Sequence, residues 1–200
     1  MRMPKLAASA FAAVLAAALL SGCTATALQK QYTDGDNKGY IDGSGVTEVK
    51  LADRSAPVVF SGKTEEDSDF SSSAHKGQVV VVNFWYAECP PCRLEAKELQ
   101  KINAQYASKG VVFIGVNTRD DGPTAQSFDD KFGVGYPSIL DADSGKAQLA
   151  FSGKYRPAAT PTTIVLDKQG RIAARMLGAI NNQPSTLESL IDSALAEGTS

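Results

Sequence analysis

Val79-Val80-Val81-Val82-Asn83-Phe84-Trp85-Tyr86-Ala87-Glu88-Cys89-Pro90-Pro91-Cys92-Arg93-Leu94-Glu95 is the stretch on which the fold turns. Its first seven residues form a continuous β-branched and aromatic run, as expected of a central strand buried on both faces. From Pro91 to Ser108 the pattern becomes helical, with Leu94, Leu99, Ile102 and Tyr106 approximating one apolar stripe. Gly110 stands where a C-terminal cap belongs. A C-x-x-C pair between such a strand and such a helix reads as a redox motif, its sulfurs within bonding reach across one turn. Cys89 falls at the helix N-terminus, where unpaired N–H groups and the positive end of the dipole favour a thiolate. That thiolate would attack a substrate disulfide, and Cys92, one turn deeper, would resolve the mixed disulfide. Pro90 and Pro91 suit a first turn whose N–H groups have no helical partner to lose.

Working outward, Val111 to Asn117 reads as a second buried strand and Ala125 to Lys131 as a short helix. Tyr136 to Leu140 reads as a short extended piece, and Gly145 to Phe151 as a helical turn or two. Thr162 to Leu166 and Arg171 to Leu177 form an antiparallel hairpin around Asp167-Lys168-Gln169-Gly170. Leu187 to Leu195 is a final amphipathic helix. Upstream, Val58 to Ser61 is the first strand of a domain spanning 57–200, followed by a polar loop through Gly77. The order β-α-β-α-insert-β-β-α gives an α/β fold, a mixed sheet with helices on both faces.

Ahead of that domain, Lys38 to Asp42 and Val46 to Leu51 flank Gly43-Ser44-Gly45 as a small β-hairpin extension. Residues 24–37 are polar and read as a tether, so that 23–56 forms one linking segment. Asp34-Gly35-Asp36-Asn37-Lys38-Gly39-Tyr40-Ile41-Asp42 mimics the front of a calcium loop. Lys38 in its fifth place and Gly45 in its twelfth, where a bidentate Glu belongs, argue for a turn-rich linker instead.

Residues 1–22 read as an address. A short positive start is followed by an apolar run from Leu6 to Leu20, of signal-peptide length and too short for a comfortable membrane span. At its end Leu20-Ser21-Gly22-Cys23 resembles the bacterial lipobox, in which the cysteine is diacylated and becomes the mature N-terminus. Ala25-Thr26-Ala27 is the rival site, which would release an unanchored chain. With Cys23 lipidated, Cys89 and Cys92 remain as one pair, too close in sequence to staple a domain and therefore present for reactivity. The net charge of −2 becomes −4 once residues 1–22, which hold Arg2 and Lys5 and no acid, are removed. No Lys/Arg cluster offers a footprint for nucleic acid. Zinc would need about four ligands, and the chain holds one other cysteine and a single histidine, His75, read as a loop residue.

The run Asn83 to Glu95 resembles the active-site stretch of the TlpA/ResA branch of thioredoxin-like proteins. The match extends to Gly115-Val116-Asn117, to Tyr136-Pro137-Ser138-Ile139-Leu140-Asp141 and to Thr160-Pro161-Thr162-Thr163. It covers roughly 57–196, including the central insertion. The resemblance implies a membrane-tethered reductant of extracytoplasmic thiols, typically the haem-binding cysteines of apocytochrome c. Its electrons would come from a membrane donor of CcdA/DsbD type, with no cofactor and no metal. A copper chaperone of the related Sco type would have C-x-x-x-C and a later histidine, and neither is present. Carried over by residue, the resemblance makes Pro161 a cis-proline facing the Cys89–Cys92 disulfide. Thr160, Trp85 and Glu88 fall at the substrate-binding surface. Glu95 becomes the acid that takes or hands over the Cys92 proton if burial raises its pKa. Asn83 stands where thioredoxin itself has a buried Asp, which leaves Glu95 as the one acid serving the pair. Glu88 departs from the branch, which usually has Trp there; a carboxylate beside Cys89 disfavours its thiolate. An oxidase of the same fold would share every motif and differ in reduction potential. A non-enzymatic lipoprotein binding module is opposed by two intact cysteines, Pro161 and Glu95.

The lipobox reading is checked by the intact mass of the mature protein from membranes. A chain starting at Cys23 and bearing fatty acyl chains is expected. A soluble chain starting at Leu28 would contradict it.

Overall fold

The computed structural model describes residues 45–198. Its strands are β1 (Val46–Glu48), β2 (Ser61–Lys63), β3 (Asp69–Ser71), β4 (Val80–Trp85), β5 (Val112–Asn117), β6 (Ser138–Leu140), β7 (Thr162–Leu166) and β8 (Ile172–Leu177). Its helices are α1 (Pro90–Ala107), α2 (Gly122–Phe132), α3 (Lys146–Ala150) and α4 (Pro184–Ala196). Six strands make one sheet in the order β1-β8-β7-β4-β5-β6. β4, β5 and β6 run parallel, while β7 is antiparallel to β4, and β8 to β7. This is the mixed sheet expected from the element order, and the thioredoxin-like one that the resemblance implies.

Strand alternation divides the core. Val79 and Val81 point to a cluster with Leu99, Ile102 and Tyr106 of α1 and Leu187 and Ile191 of α4. Val80, Val82 and Phe84 point the other way, to Phe60, Phe70, Phe151 and Ile164. Every residue of β4 is buried, which is why its sequence is continuous rather than alternating. Asn83 falls on the α1 face, and it is the one amide in that otherwise apolar and aromatic strand.

Several boundaries differ from those expected. α2 begins three residues early because the Asp121 carboxylate caps it, accepting from the Thr124 N–H at 3.0 Å, with Pro123 in the first turn. Val58 to Phe60 is not strand. Instead β2 pairs with β3, inside the stretch read as a polar loop. Gly62 permits this, since a Cβ there would lie 2.4 Å from the Ile139 side chain. On α1, Leu94 is 67 % exposed and the buried stripe runs through Cys92, Glu95, Ala96, Leu99, Ile102 and Tyr106.

β1 pairs antiparallel with β8, Val46 opposite Met176, and Val49 donates its N–H to Ala173 O. Val46 and Val49 join the two core clusters, so the packed body takes in residues ahead of the boundary expected at Pro57. Lys38 to Asp42, the opposing arm of the expected hairpin, lies outside the described residues. So do the signal segment, Cys23, the tether and the calcium-like stretch. Among the described residues, no helix is long and apolar enough to cross a membrane.

Arg54 fastens this N-terminal segment. Its guanidinium donates to Glu197 at 2.6 Å and to Asp167 at 2.9 Å, and it also bonds Val49 O. Burial alone would raise the Asp167 carboxyl. The Arg171 N–H and the Arg54 and Arg171 side chains outweigh that and hold it below the usual range. Arg54→Ala takes charge-assisted bonds from Asp167 and Glu197, while Arg171 still holds Asp167. It should therefore cost about 2 kcal/mol in urea unfolding at pH 7. A depressed carboxylate contributes above its unfolded pKa and loses that contribution as pH falls through the folded value. The deficit should thus shrink at pH 3. Equal stability of the two proteins at pH 7 would contradict this.

Candidate active site

Cys89 is the N-cap of α1, and its Sγ accepts the Cys92 N–H at 3.2 Å. The two cysteines form a disulfide with Cα atoms 5.2 Å apart. The turn before them is fixed at both ends of one residue. The Ala87 N–H donates to Asp120 Oδ2 at 2.6 Å, and Ala87 O accepts from Arg93 Nε at 2.6 Å. Asp120 is itself oriented by Asn117 Nδ2 at 2.8 Å, at the C-terminal end of β5. Arg119 stacks 4.0 Å over the Tyr86 ring. Both cysteines are enclosed, at 1 % and 2 % exposure. Glu88 is the exposed member of the turn, and its carboxylate lies 3.8 Å from the Arg93 guanidinium.

Glu95 is 1 % exposed, one turn past Cys92. Its Oε1 accepts from Asn83 Nδ2 and its Oε2 from the Ile180 N–H, both at 2.9 Å. Burial pushes its pKa up to about 7, against the opposing pull of the Ile180 and Asn83 hydrogen bonds. Asn83 Nδ2 also reaches Thr163 Oγ1 at 3.2 Å, joining β4, α1 and β7 in one buried polar chain. The Thr160–Pro161 peptide is cis, and Pro161 is buried with Thr160 half-buried. Phe84 pairs with Thr162, so Pro161 falls at the end of β4 from which the cysteine turn springs.

Trp85 corrects the expectation of a substrate-facing indole. It is 4 % exposed, donates Nε1 to Ser138 Oγ at 3.0 Å and packs 4.3 Å from the Phe128 ring. It supports the disulfide from behind. Gly115 makes room for it, since a Cβ there would lie 2.7 Å from the indole nitrogen and 2.1 Å from Ser138 Oγ.

Glu95 is also not the one acid near the pair. Asp129 of α2 lines a small cavity together with Cys92, Asn83, Trp85 and Tyr136. Burial first, then the nearby Glu65, Asp130 and Glu66, raise the Asp129 carboxyl to about 7. Sequence reasoning gave Asn117 no role and missed Asp120 and Asp129. The first two carry a usable signal, as polar residues at the C-terminal end of a parallel strand beside the motif, where α/β sites are built. His75 stacks on Phe70 and bonds Gln78 Oε1. Among the described residues, no group of three or more His, Cys, Asp or Glu is arranged to hold a metal ion.

A disulfide capping a helix, a cis-proline on the adjoining strand and a buried carboxyl behind the pair define a thioredoxin-like thiol–disulfide oxidoreductase. The Redoxin family model matches residues 50–191, and the chain belongs to that family. It is 30 % identical to the thiol:disulfide interchange protein DsbE of Vibrio cholerae over 193 residues, 94 % of this chain and 95 % of that protein. It is 32 % identical to the thiol-disulfide oxidoreductase ResA of Halalkalibacterium halodurans over 54 % of this chain, spanning 58 % of ResA's length. Among solved structures, a secreted thiol-disulfide isomerase from Corynebacterium glutamicum aligns with a TM-score of 0.68 at 31 % identity, over 78 % of this chain and 95 % of that one.

Glu95 makes the stability of the disulfide form pH-dependent. Its pKa is raised on folding, so the native state keeps a proton that the unfolded chain releases. Stability is fully present below the ordinary carboxylate range and is lost as pH rises towards about 7, by about 3 kcal/mol in all. Glu95→Gln should remove the Glu95 share of this slope and leave that of Asp129, because the Asn83 amide and the Thr163 hydroxyl can both reverse to suit a Gln side chain. Denaturant unfolding of both proteins from pH 5 to 8 checks it. Parallel slopes would contradict the assignment.

Proposed function

We propose that this chain uses Cys89 and Cys92 to reduce disulfides of exported proteins at the outer face of a bacterial membrane. Cysteine pairs of apocytochrome c are the favoured substrate class. In this reading a CcdA/DsbD-type membrane protein supplies the electrons, and lipid on Cys23 keeps the domain at the surface.

The observation that carries the reading is the helix-capping disulfide with the Glu95 carboxyl buried one turn behind it. Cys89 attacks the substrate disulfide, and a mixed disulfide forms as the other substrate sulfur leaves. Cys92 then loses its proton and displaces the substrate from Cys89, closing the enzyme disulfide. Glu95 stands where a carboxyl can share the Cys92 proton near neutrality. Thr160, next to cis-Pro161, offers its backbone to an extended substrate segment. A reducing poise is supported by the acids. Glu88 beside Cys89 and Glu95 behind Cys92 both disfavour thiolates, and a couple whose reduced form is not stabilised as thiolate is easily oxidised. The names of the DsbE and ResA relatives agree with thiol–disulfide exchange.

Trapping tests the reading. Cys92→Ala should accumulate mixed disulfides with exported cysteine-containing proteins, which reductant releases, while Cys89→Ala traps nothing and reduces no insulin. Capture by Cys89→Ala and not by Cys92→Ala would reverse the roles. Full insulin reduction by the double variant would overturn the reading.

A further inference from the structure

The cavity behind the disulfide leaves about 10 Å³ for the centre of a water-sized molecule, room for about one water. Asp129 lines it together with Cys92. The same residue also lines a second, open cavity of about 480 Å³, whose wall carries Glu65, Glu66 and Asp130. Val134 and Tyr136 likewise border both spaces. Asp129 is therefore the carboxyl that borders Cys92's cavity on one side and an acid-lined opening on the other.

Two observations separate Asp129 from Glu95. Both Glu95 oxygens already accept hydrogen bonds, from Asn83 and from Ile180. Asp129 Oδ1 is buried without a hydrogen-bond partner among the described residues. A buried carboxylate oxygen without a donor is costly unless it is protonated or bonded to water. The charged groups acting on Asp129 are acids: Glu65 and Glu66 from the turn between β2 and β3, and Asp130 on its own helix. Tyr136 lies within the influence of both Glu95 and Asp129, and with burial they push its hydroxyl far up, so it stays protonated.

We propose that Asp129 is the proton carrier between Cys92 and solvent, taking the thiol proton through the one-water cavity and releasing it at the acidic opening. The proposal rests on the reading that Cys89 and Cys92 perform disulfide exchange, and it adds the path by which their proton leaves. When the mixed disulfide resolves, the Cys92 S–H proton passes to the Asp129 carboxylate. The Cys92 sulfur bonds Cys89 Sγ, and the bond from Cys89 to the substrate breaks. The substrate sulfur departs with the electron pair and takes a proton from solvent. The enzyme dithiol is oxidised and the substrate disulfide reduced, with no further reactant.

The test is single-turnover oxidation of the reduced protein by glutathione disulfide from pH 5 to 9. Fluorescence of Trp85, the chain's one tryptophan, reports it from beside Cys92. Asp129→Asn should be roughly tenfold slower near pH 7, below the full range for a positioned acid or base because Glu95 remains. Its rate should depend less on pH between 6 and 8, rise with imidazole concentration, and come with an unchanged or higher melting temperature. Asp129→Glu should keep the wild-type profile shape, and Asp143→Asn, at an exposed position, should match wild type throughout. A profile for Asp129→Asn that superimposes on wild type would overturn the proposal. So would slowing by one factor at every pH without imidazole rescue, which marks a structural role. Absence of exchange in the wild type itself would overturn the parent reading as well, and that arm tells the two failures apart.

Discussion

The Glu95 carboxyl is pinned between the Asn83 amide of β4 and the Ile180 N–H that follows β8, and much of the site's order depends on that arrangement. A buried acid with no partner would be expelled or would unfold the helix turn that carries it. With two donors it is tolerated, and its pKa settles close to neutrality. The cost is a native state that weakens as pH rises. What results is a carboxyl one turn from Cys92, held by three separate elements and unable to swing into solvent, which the proposed mechanism uses to share the Cys92 proton. Asn83 is the hinge of this arrangement, since the same amide nitrogen also reaches Thr163 on the strand that cis-Pro161 precedes.

The central insertion supports the site from the other side. The Asp141 carboxylate accepts from the N–H groups of Ala147 and Gln148, capping α3 and setting the end of β6. β6 in turn places Ser138 under the Trp85 indole, across the gap that Gly115 leaves open. Asp120 fixes the Ala87 N–H above. The disulfide thus stands on a frame built from β4, β5, β6 and α2. Its own covalent bond joins residues only one turn apart, where loop-closure entropy is small, and so contributes little to holding the fold.

Much of this was legible in the chain. The Val79–Trp85 run could only be a strand buried on both faces, and Cys89-Pro90-Pro91-Cys92 at its exit named the chemistry. Burial of Glu95 was not legible, because a Glu near a helix N-terminus is also what the dipole favours in solvent. Leu94 and Glu95 show the difficulty in one step. An apolar residue is exposed and its acidic neighbour buried, the reverse of what periodicity gives, because Asn83 and the Ile180 N–H supply the carboxyl with partners on the core face. Trp85 was misplaced for a similar reason. An aromatic beside a reactive cysteine suits a binding surface, and only the β5–β6 pairing shows that Ser138 lies waiting for its N–H. Asp129 lies 37 positions beyond Cys92, and no local pattern links them before α2 packs on α1.

The reduction potential of the Cys89–Cys92 couple at pH 7 tests the central claim most directly. Acids that withhold thiolate stabilisation should set it near or below the roughly −270 mV of thioredoxin, making the domain a reductant. A value near the roughly −120 mV of DsbA would mean that the reduced form is stabilised after all, and would contradict the account.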